Sequence, residues 1–215
     1  MAANVRKWSG VAVAMQSALA AAKTISGVTK ADPAVVTATA HGYANGDYVL
    51  LVTQGMYQLD GKVVRVAAVA TDTFQAEGVD STLFDTFVSG TAQKITFGTT
   101  LSSMTSVNAS GGDFDFVDTT TIHQNVKTQI PGLANPLSYS FDNLWDMSDA
   151  AQLAMKAASD NQGQRAFKFV FGTGGPIMTF SGYVGYAGAP TGSAQDKVVS
   201  PAVITAFGTP TYYAS

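Results

Sequence analysis

Two histidines and a row of three aspartates are the side chains best suited by type to chemistry. His41 lies in a predicted turn and His123 in a predicted loop, and neither has an acidic or histidine partner at metal-ligand spacing. Asp113, Asp115 and Asp118 lack the glycine and the distal glutamate of a calcium-binding loop. The sequence therefore predicts no metal site: both histidines should be solvated, and the carboxylates should lie on an exposed strand face.

Motifs for nucleophilic catalysis or phosphate binding are also absent from the sequence. There is no Gly-x-Ser-x-Gly elbow, and the glycine-rich run at 172–175 precedes Pro176 instead of the lysine and hydroxyl residue of a phosphate loop. That run predicts a hairpin turn. The Asn-x-Ser glycosylation pattern at Asn108 is a frequent chance match. We therefore predict no catalytic residue, no cofactor and no enzymatic activity.

The fraction of charged residues and the net charge limit which kinds of partner the chain can bind. Charged residues make up 13% of the chain, whereas an average soluble domain has roughly 25%. The formal charge of −3, with Lys and Arg scattered singly, argues against a polyanion-binding surface. Two explanations stay open: a neutral surface rich in threonine, or a surface buried against other copies, where charges would have to be desolvated. The absence of cysteine leaves the compartment undecided.

The N-terminal run superficially resembles a signal peptide, because Arg6 and Lys7 precede an apolar, alanine-rich stretch. Gln16 and Ser17 interrupt that stretch, which is also too short to span a bilayer. We instead expect a buried strand at residues 11–15 and no membrane-spanning segment.

A strand that passes into a helix, within residues 137–159, has the most regular pattern in the sequence. Large apolar side chains such as Tyr139 and Phe141 alternate with small polar ones, and in a strand the two sets face opposite ways. The apolar set should meet the core or the helix. The opposite face then carries Ser138, Ser140 and Asp142.

The helix should run from about 146 to 159, with Asp146 or Ser148 as its N-cap. Apolar residues recur at helical spacing, so we expect Leu153 and Ala154 to face a sheet. This is nearly the only helix that the sequence predicts. The fold class is therefore mainly β (α+β), an antiparallel β-sandwich or barrel with one packed α-helix.

Residues 28–95 form a separate strand-rich stretch. Short β-prone runs alternate there with tight turns, such as the one at Asn45-Gly46, as in a small antiparallel barrel. We therefore predict a small inserted β module at 28–95 and a second domain made of residues 1–27 and 96–215.

The longest irregular stretch, residues 119–136, is of a length that in compact domains is usually functional or disordered. It is too apolar for a disordered linker, because it contains Ile122, Val126, Ile130 and Leu133. These side chains need a partner that a monomer does not offer.

Four segments carry a resemblance to a known family: VAVAMQ at 11–16, DTTTIH at 118–123, SYSFDNLWD at 138–146 and PTGSAQDKV at 190–198. In this order they resemble the major tail tube protein of long-tailed bacteriophages of the siphovirus kind. HGYANGDYV at 41–49 and LDG at 59–61 are similar to a small β module found inserted in many phage structural proteins. None of these segments is a catalytic motif.

The resemblance implies a two-sheet β-sandwich flanked by a helix, with six copies in a ring whose inner strands join into a barrel. Stacked rings would form the tube of the virion tail, assembled in the host bacterial cytoplasm, which conducts DNA during ejection. The implied partners are further copies, tape measure and terminator proteins, and DNA that passes non-specifically through the lumen.

The resemblance also gives roles to two sets of residues. Ser138, Ser140 and Asp142 would face the lumen, although an outer sheet facing solvent is an equal alternative. The 119–136 loop would join stacked rings. A low-charge, acidic-leaning chain suits such a conduit, because a basic wall would hold DNA by releasing its counterions.

The alternative from another class is a carbohydrate-binding or adhesin-type β domain. We expect Trp8, Tyr43 and Tyr57 to be exposed, and in such a domain they would stack on sugars. Self-assembly separates the two hypotheses, because a tube protein forms rings or filaments and a binding module stays a monomer.

Overall fold

The computed structural model describes residues 7–214, which form two antiparallel sheets, a two-stranded hairpin and one α-helix. Arg6, considered above as part of a signal peptide, lies outside this range. The α-helix is α1 (Ala150–Asp160), and 3-10 helices lie at Trp8–Gly10 and Tyr57–Leu59. No helix between residues 7 and 214 is long and apolar enough to cross a membrane. The prediction of a mainly β protein with one packed helix is confirmed.

The strands are β1 (Val11–Met15), β2 (Ala18–Leu19), β3 (Lys23–Ile25), β4 (Gly27–Val28), β5 (Ala34–Thr37), β6 (Tyr48–Gln54), β7 (Val63–Ala67), β8 (Thr73–Ala76), β9 (Ser89–Thr96), β10 (Thr99–Thr100), β11 (Met104–Ser110), β12 (Phe114–Asp118), β13 (Gln129–Ala134), β14 (Ser138–Leu144), β15 (Arg165–Phe171), β16 (Ile177–Gly185) and β17 (Val199–Tyr213).

The first sheet has the strand order β10-β1-β15-β16-β17-β14-β11, with α1 packed against β16. Strand alternation buries one face of β14, whereas most of β16 is buried on both faces. The rings of Tyr139 on β14 and Phe180 on β16 stack with centroids 5.3 Å apart. Val13 and Met15 are buried in the same core, so the predicted strand at 11–15 is confirmed. Tyr139 and Phe141 also face this core, as predicted.

The helix begins later than predicted. Asp149 is the N-cap, and its side chain accepts a hydrogen bond from the Ala151 amide (2.9 Å). The Asp146 carboxylate instead accepts bonds from the amide and hydroxyl of Ser148, which shapes the turn before the helix. Both caps proposed from the sequence were therefore wrong, because the two residues bind each other.

The packed face of α1 also differs from the prediction. Met155 is fully buried and Leu153 is 48% exposed, so Leu153 does not face the sheet. The buried positions are Ala151, Gln152, Met155 and Ala158. Gln152 is accommodated because its amide nitrogen donates to the Leu144 carbonyl (2.6 Å) and its amide oxygen accepts from the Tyr186 hydroxyl (2.8 Å).

The second sheet has the order β2-β9-β6-β7-β8-β5-β4, with β3 also paired to β9. It has a hydrophobic core of its own, whose largest fully buried side chains are Leu51, Met56, Leu59 and Phe74. We call residues 18–97 the module. They contain all strands of this sheet.

His41 belongs to that core, so the prediction of a solvated turn histidine is wrong. Its Nδ1 accepts a hydrogen bond from the Tyr43 amide (3.0 Å), and its Nε2 pairs with the Ala70 carbonyl (3.1 Å). The imidazole lies 5.3 Å from the Phe74 ring, centroid to centroid. The histidine thus ties two turns together, a role that depends on Ala70, far from it in sequence.

The chain leaves the first sheet and returns to it at adjoining points. Met15 of β1 pairs with Thr99 of β10, and the Gly98 amide donates to the Ser17 hydroxyl (3.1 Å). The division into two domains stays a prediction. We propose 17 and 98 as its boundary, since β2 and β3, which precede residue 28, pair with β9.

Deleting residues 18–97 should leave a folded remainder. Joining Ser17 to Gly98 gives a three-residue loop between Met15 and Thr99, a length that β-hairpins tolerate. The shortened protein should keep its β circular dichroism and unfold in one cooperative transition. Deleting 28–95 instead should be less stable, because β2 and β3 would lose their partner strand. An unfolded 18–97 deletion would contradict the proposed boundary.

Candidate assembly surfaces

A hairpin projects from the edge of the first sheet. β12 and β13 pair with each other only, through Phe116 opposite Pro131 and Asp118 opposite Gln129. We call residues 113–135 the arm. The arm therefore extends the 119–136 loop into a longer, partly regular element, whose second strand contains Ile130 and Leu133.

Every residue of the arm is exposed. The most exposed of its large apolar side chains is Ile122, at 96%. The others are Phe114, Phe116, Val117, Val126, Ile130 and Leu133. An isolated two-stranded hairpin is marginally stable in water, and apolar surface of this extent is typical of interaction sites. The arm therefore leaves most of its apolar side chains in contact with water.

Two glycines set the direction of the arm. Gly111 and Gly112, between β11 and β12, both have φ of +85°, which L side chains rarely adopt. A side chain at Gly111 would also collide with the Pro136 carbonyl. The arm is thereby fixed at its base by Gly112, whose amide donates to the Asn135 carbonyl (3.0 Å).

The face of the first sheet opposite its core is polar where β14 crosses it. Ser138 and Asp142 are half-buried and Ser140 is exposed. Ser140 lies between Asn108 on β11 and Val203 on β17. The Asp142 carboxylate accepts a hydrogen bond from the Ser106 hydroxyl (3.2 Å). This patch presents small neutral groups and one carboxylate.

The module covers another part of the same face. On β16 the Ser181 hydroxyl donates to the Gly61 carbonyl (2.5 Å), and the Thr179 hydroxyl donates to the Val63 carbonyl (3.4 Å). A small apolar cluster closes the junction, with Val63 and Ala166 fully buried. The polar face is therefore divided into an open part on β11, β14 and β17 and a part that holds the module.

An arginine fastens this junction. Arg65 donates two hydrogen bonds to Glu77 (2.6 and 2.5 Å), and its guanidinium lies 4.6 Å from the centre of the Tyr213 ring. The hydrogen bond from Arg65 lowers the pKa of Glu77. Burial raises the pKa of Tyr213 to about 12, and its hydroxyl accepts from the Arg65 amide (2.7 Å). The contacts between Arg65 and Tyr213 join the module to β17.

The histidines and acidic residues do not form a reactive group. Within residues 7–214, no three His, Asp or Glu side chains are placed to hold a metal ion. His123 is exposed at the turn of the arm, whereas His41 is buried in the module. Asp113, Asp115 and Asp118 are exposed, and hydrogen bonds from Thr120 lower the pKa of Asp118.

The aromatic residues of the carbohydrate-binding hypothesis do not form one platform. Tyr43 is buried, and its hydroxyl donates to the Ala92 carbonyl (2.8 Å). Trp8 leans on Phe171, with ring centroids 5.9 Å apart, and Tyr57 is exposed on the module. The expectation that Tyr43 is exposed was therefore wrong.

Sequence reasoning missed the aromatic part of the arm. Phe114 and Phe116 alternate with Asp113 and Asp115, a pattern that predicts an ordinary strand with one face in a core. In the structure both phenylalanines are more than half exposed. Their alternation carried no information about whether a core lies beneath them.

Comparison with known proteins identifies a family and a solved structure that shares some similarity. A family model described as phage tail tube protein matches residues 54–215. No curated protein is significantly similar to the chain. Among solved structures, a chain in the "tail of empty GTA particle computed with helical refinement, C6 symmetry" is similar at 15% identity and a TM-score of 0.41. The alignment covers 54% of this chain and 85% of that one.

Proposed function

Because the chain belongs to the phage tail tube protein family and is thus a structural component of the virion tail, we propose that its copies assemble into rings of six. These rings stack into the tube through which DNA is ejected. Sharing strands around a ring removes the open edges of the first sheet, at β10 and β11. One pair of unlike surfaces closes the ring by rotation, and a second pair stacks the rings into a tube.

The observation that carries the proposal is the arm. A monomer leaves Ile122, Val126, Ile130 and Leu133 in water, which costs free energy in proportion to their apolar area. We propose that these four side chains contact the next ring. The low charge content of the chain fits a surface that is largely buried in an assembly.

Negative-stain electron microscopy of the purified full-length protein tests the assembly directly. Rings or filaments of uniform diameter are the expected result. A monodisperse monomer at high concentration, under conditions where its unfolding transition is intact, would reject the tube proposal and favour a binding module.

We propose that the open polar patch lines the lumen. Ser138, Ser140 and Asp142 offer DNA no cation, so passing phosphates find no fixed counter-charge. The outer-sheet alternative makes the same side chains solvent-facing, and strand alternation alone does not separate the two.

Ser140→Arg separates them. If Ser140 faces the lumen, each ring gains a circle of cations that binds phosphates, so DNA delivery should slow markedly at low salt and recover as salt rises. The measurement is the rate of DNA ejection from particles whose tails carry the substitution. Ser140→Gln is the matched control, because it adds bulk without charge. Normal ejection from Ser140→Arg particles at low salt would place this face outside the lumen.

The proposal also includes two further partner proteins and the cell compartment in which the tube is assembled. The ends of the tube would contact terminator proteins, and its lumen would hold the tape measure protein before DNA enters. Assembly would take place in the host bacterial cytoplasm. These assignments rest on membership of the family.

A further inference from the structure

A groove lies where the module meets the first sheet. It has a volume of about 570 Å³, and residues from both sides line it, including Tyr57, Lys62 and Phe84 from the module and Phe207 and Thr209 from β17. A second hollow of about 350 Å³ continues past Lys62 to Thr211 and Tyr212. The Tyr57 and Tyr212 side chains are 70% and 64% exposed, so the groove shows aromatic surface to solvent.

An irregularity in β17 creates this groove. Thr211 pairs with Thr179 and Phe207 with Ser181, so three residues of β17 stand opposite one residue of β16. The extra residues begin with Gly208, whose φ is +74°. The bulge turns Phe207 toward the module, where its ring lies so close to Gly61 that any side chain there would collide with it.

Lys62, between the two hollows, has no carboxylate partner. Its Nζ donates only long hydrogen bonds, to the carbonyl and hydroxyl of Thr209 (both 3.4 Å), and it takes part in no ion pair among residues 7–214. Burial lowers its pKa. Asp60 and Asp80 also line the hollows, and their carboxylates accept hydrogen bonds from the Thr53 amide on β6 and from Thr82, respectively.

A hydroxyl beneath the surface of the groove has no hydrogen-bond partner within residues 7–214. Thr211 lines the second hollow and is 6% exposed as a residue, but its hydroxyl oxygen is itself buried and has no hydrogen-bond partner in that range. Lys62 is therefore the group in the groove that a docked ligand would pair with, because its ammonium has no carboxylate partner in the described part of the chain. That ligand should carry aromatic or aliphatic side chains together with a carboxylate.

The first strand of the arm has this chemistry. Phe114 and Phe116 are 54% and 62% exposed, and Asp113, Asp115 and Asp118 lie beside them. The arm leaves the sheet from the edge strand β11, two strands away from β17, and all of its residues are exposed. The arm of a chain therefore does not fill the groove of the same chain.

We propose that the arm of one copy docks in this groove of a neighbouring copy, with its phenylalanines against the aromatic wall and one of its carboxylates on Lys62. The proposal rests on the assembly proposed above and names the receptor for the arm. Arm and groove are different surfaces of one chain, so the contact is heterologous and repeats from copy to copy, as rings and stacks require. The module thereby supplies half of the assembly site.

Disulfide cross-linking tests the docking, and a chain without cysteine gives no background. Cysteines placed in turn at Asp115, Val117 and Ile130 are each mixed with a Thr209→Cys protein under mild oxidation. At least one mixture should give a disulfide-linked dimer, because docking brings the Cα atoms within about 7 Å. Thr71→Cys, in an exposed turn of the module, is the control and should give none.

Charge reversal gives a second measurement. Lys62→Glu should lower the yield of tubes at least about tenfold at equal monomer stability, whereas Lys62→Met should lower it less, since it removes the charge without adding repulsion. Reversing one arm carboxylate to lysine should restore assembly of Lys62→Glu. If the wild type forms tubes, Lys62→Glu forms tubes normally and no cross-link appears, the docking is wrong and the tube function stands. If the wild type forms no tubes, the tube function is rejected. If no cysteine pair cross-links, the docking is rejected whether or not tubes form.

Discussion

Replacing the arm by a short glycine–serine turn should abolish tubes and leave the monomer unchanged. No residue of 113–135 is buried, so its removal takes nothing from either hydrophobic core. The free energy of unfolding should therefore stay within about 0.5 kcal/mol of the wild type, as for surface changes in general. Tubes are counted by electron microscopy, and stability is measured by denaturant unfolding of the monomer.

A milder variant identifies which part of the arm is responsible. Ile122, Val126, Ile130 and Leu133 changed together to serine keep the length of the arm but remove its apolar contacts, and they should also prevent assembly. Lys127→Ser is the matched control, because it changes an arm residue without changing the apolar set. Tubes of normal length from the fourfold variant would show that these side chains do not join rings.

Met155→Asp should unfold the protein or bring it close to unfolding. Met155 is fully buried in the core of the first sheet, so an aspartate there would be an unpaired carboxylate in an apolar site. The cost is several kcal/mol, about a third or more of the 5–15 kcal/mol that stabilises a typical domain. Denaturant midpoints, or the loss of soluble monomer, measure the effect.

Leu153→Asp is the matched control on the same helix. It carries the same change in helix propensity, but Leu153 is 48% exposed, so the new carboxylate stays hydrated. Its midpoint should move only slightly. If both substitutions were equally damaging, the packed face of α1 would have to be wider than the structure shows.

The sequence was sufficient to predict the buried face of β14 but not the buried face of α1, and both outcomes have the same physical reason. Tyr139 and Phe141 alternate with serines, so only one face of the strand is suitable for burial. In α1, alanines occur at exposed positions (Ala150, Ala157) as well as buried ones (Ala151, Ala158), and the buried face includes Gln152. That glutamine is acceptable only because Tyr186 and Leu144 supply its hydrogen bonds, and no local pattern contains this information.

Some of the candidate surfaces were predicted from the sequence and others were not, for a similar reason. The apolar residues of the 119–136 loop were recognised from their composition, but the pairing of β12 with β13 across a turn was not, since Pro131 weakens the strand pattern. The groove was not predictable, because it needs Lys62 and the β17 bulge, which are distant in sequence, to come together. Which face lines a lumen depends on other copies, and a single chain does not encode that in local periodicity.

The chain leaves the first sheet at Ser17 and returns to it at Gly98, and these two residues are hydrogen-bonded to each other. This position is therefore suited to the insertion of a different domain. A guest domain whose termini lie close together fits there without displacing β1 or β10, and chains tolerate insertions of this kind. A tube of such chains would display the guest once per protomer, as a regular lattice whose pitch is the ring spacing. Because the proposed groove takes Lys62 from the module, exchanging the module would also change which arms are accepted, so two tube proteins differing only there should sort into separate tubes when expressed together.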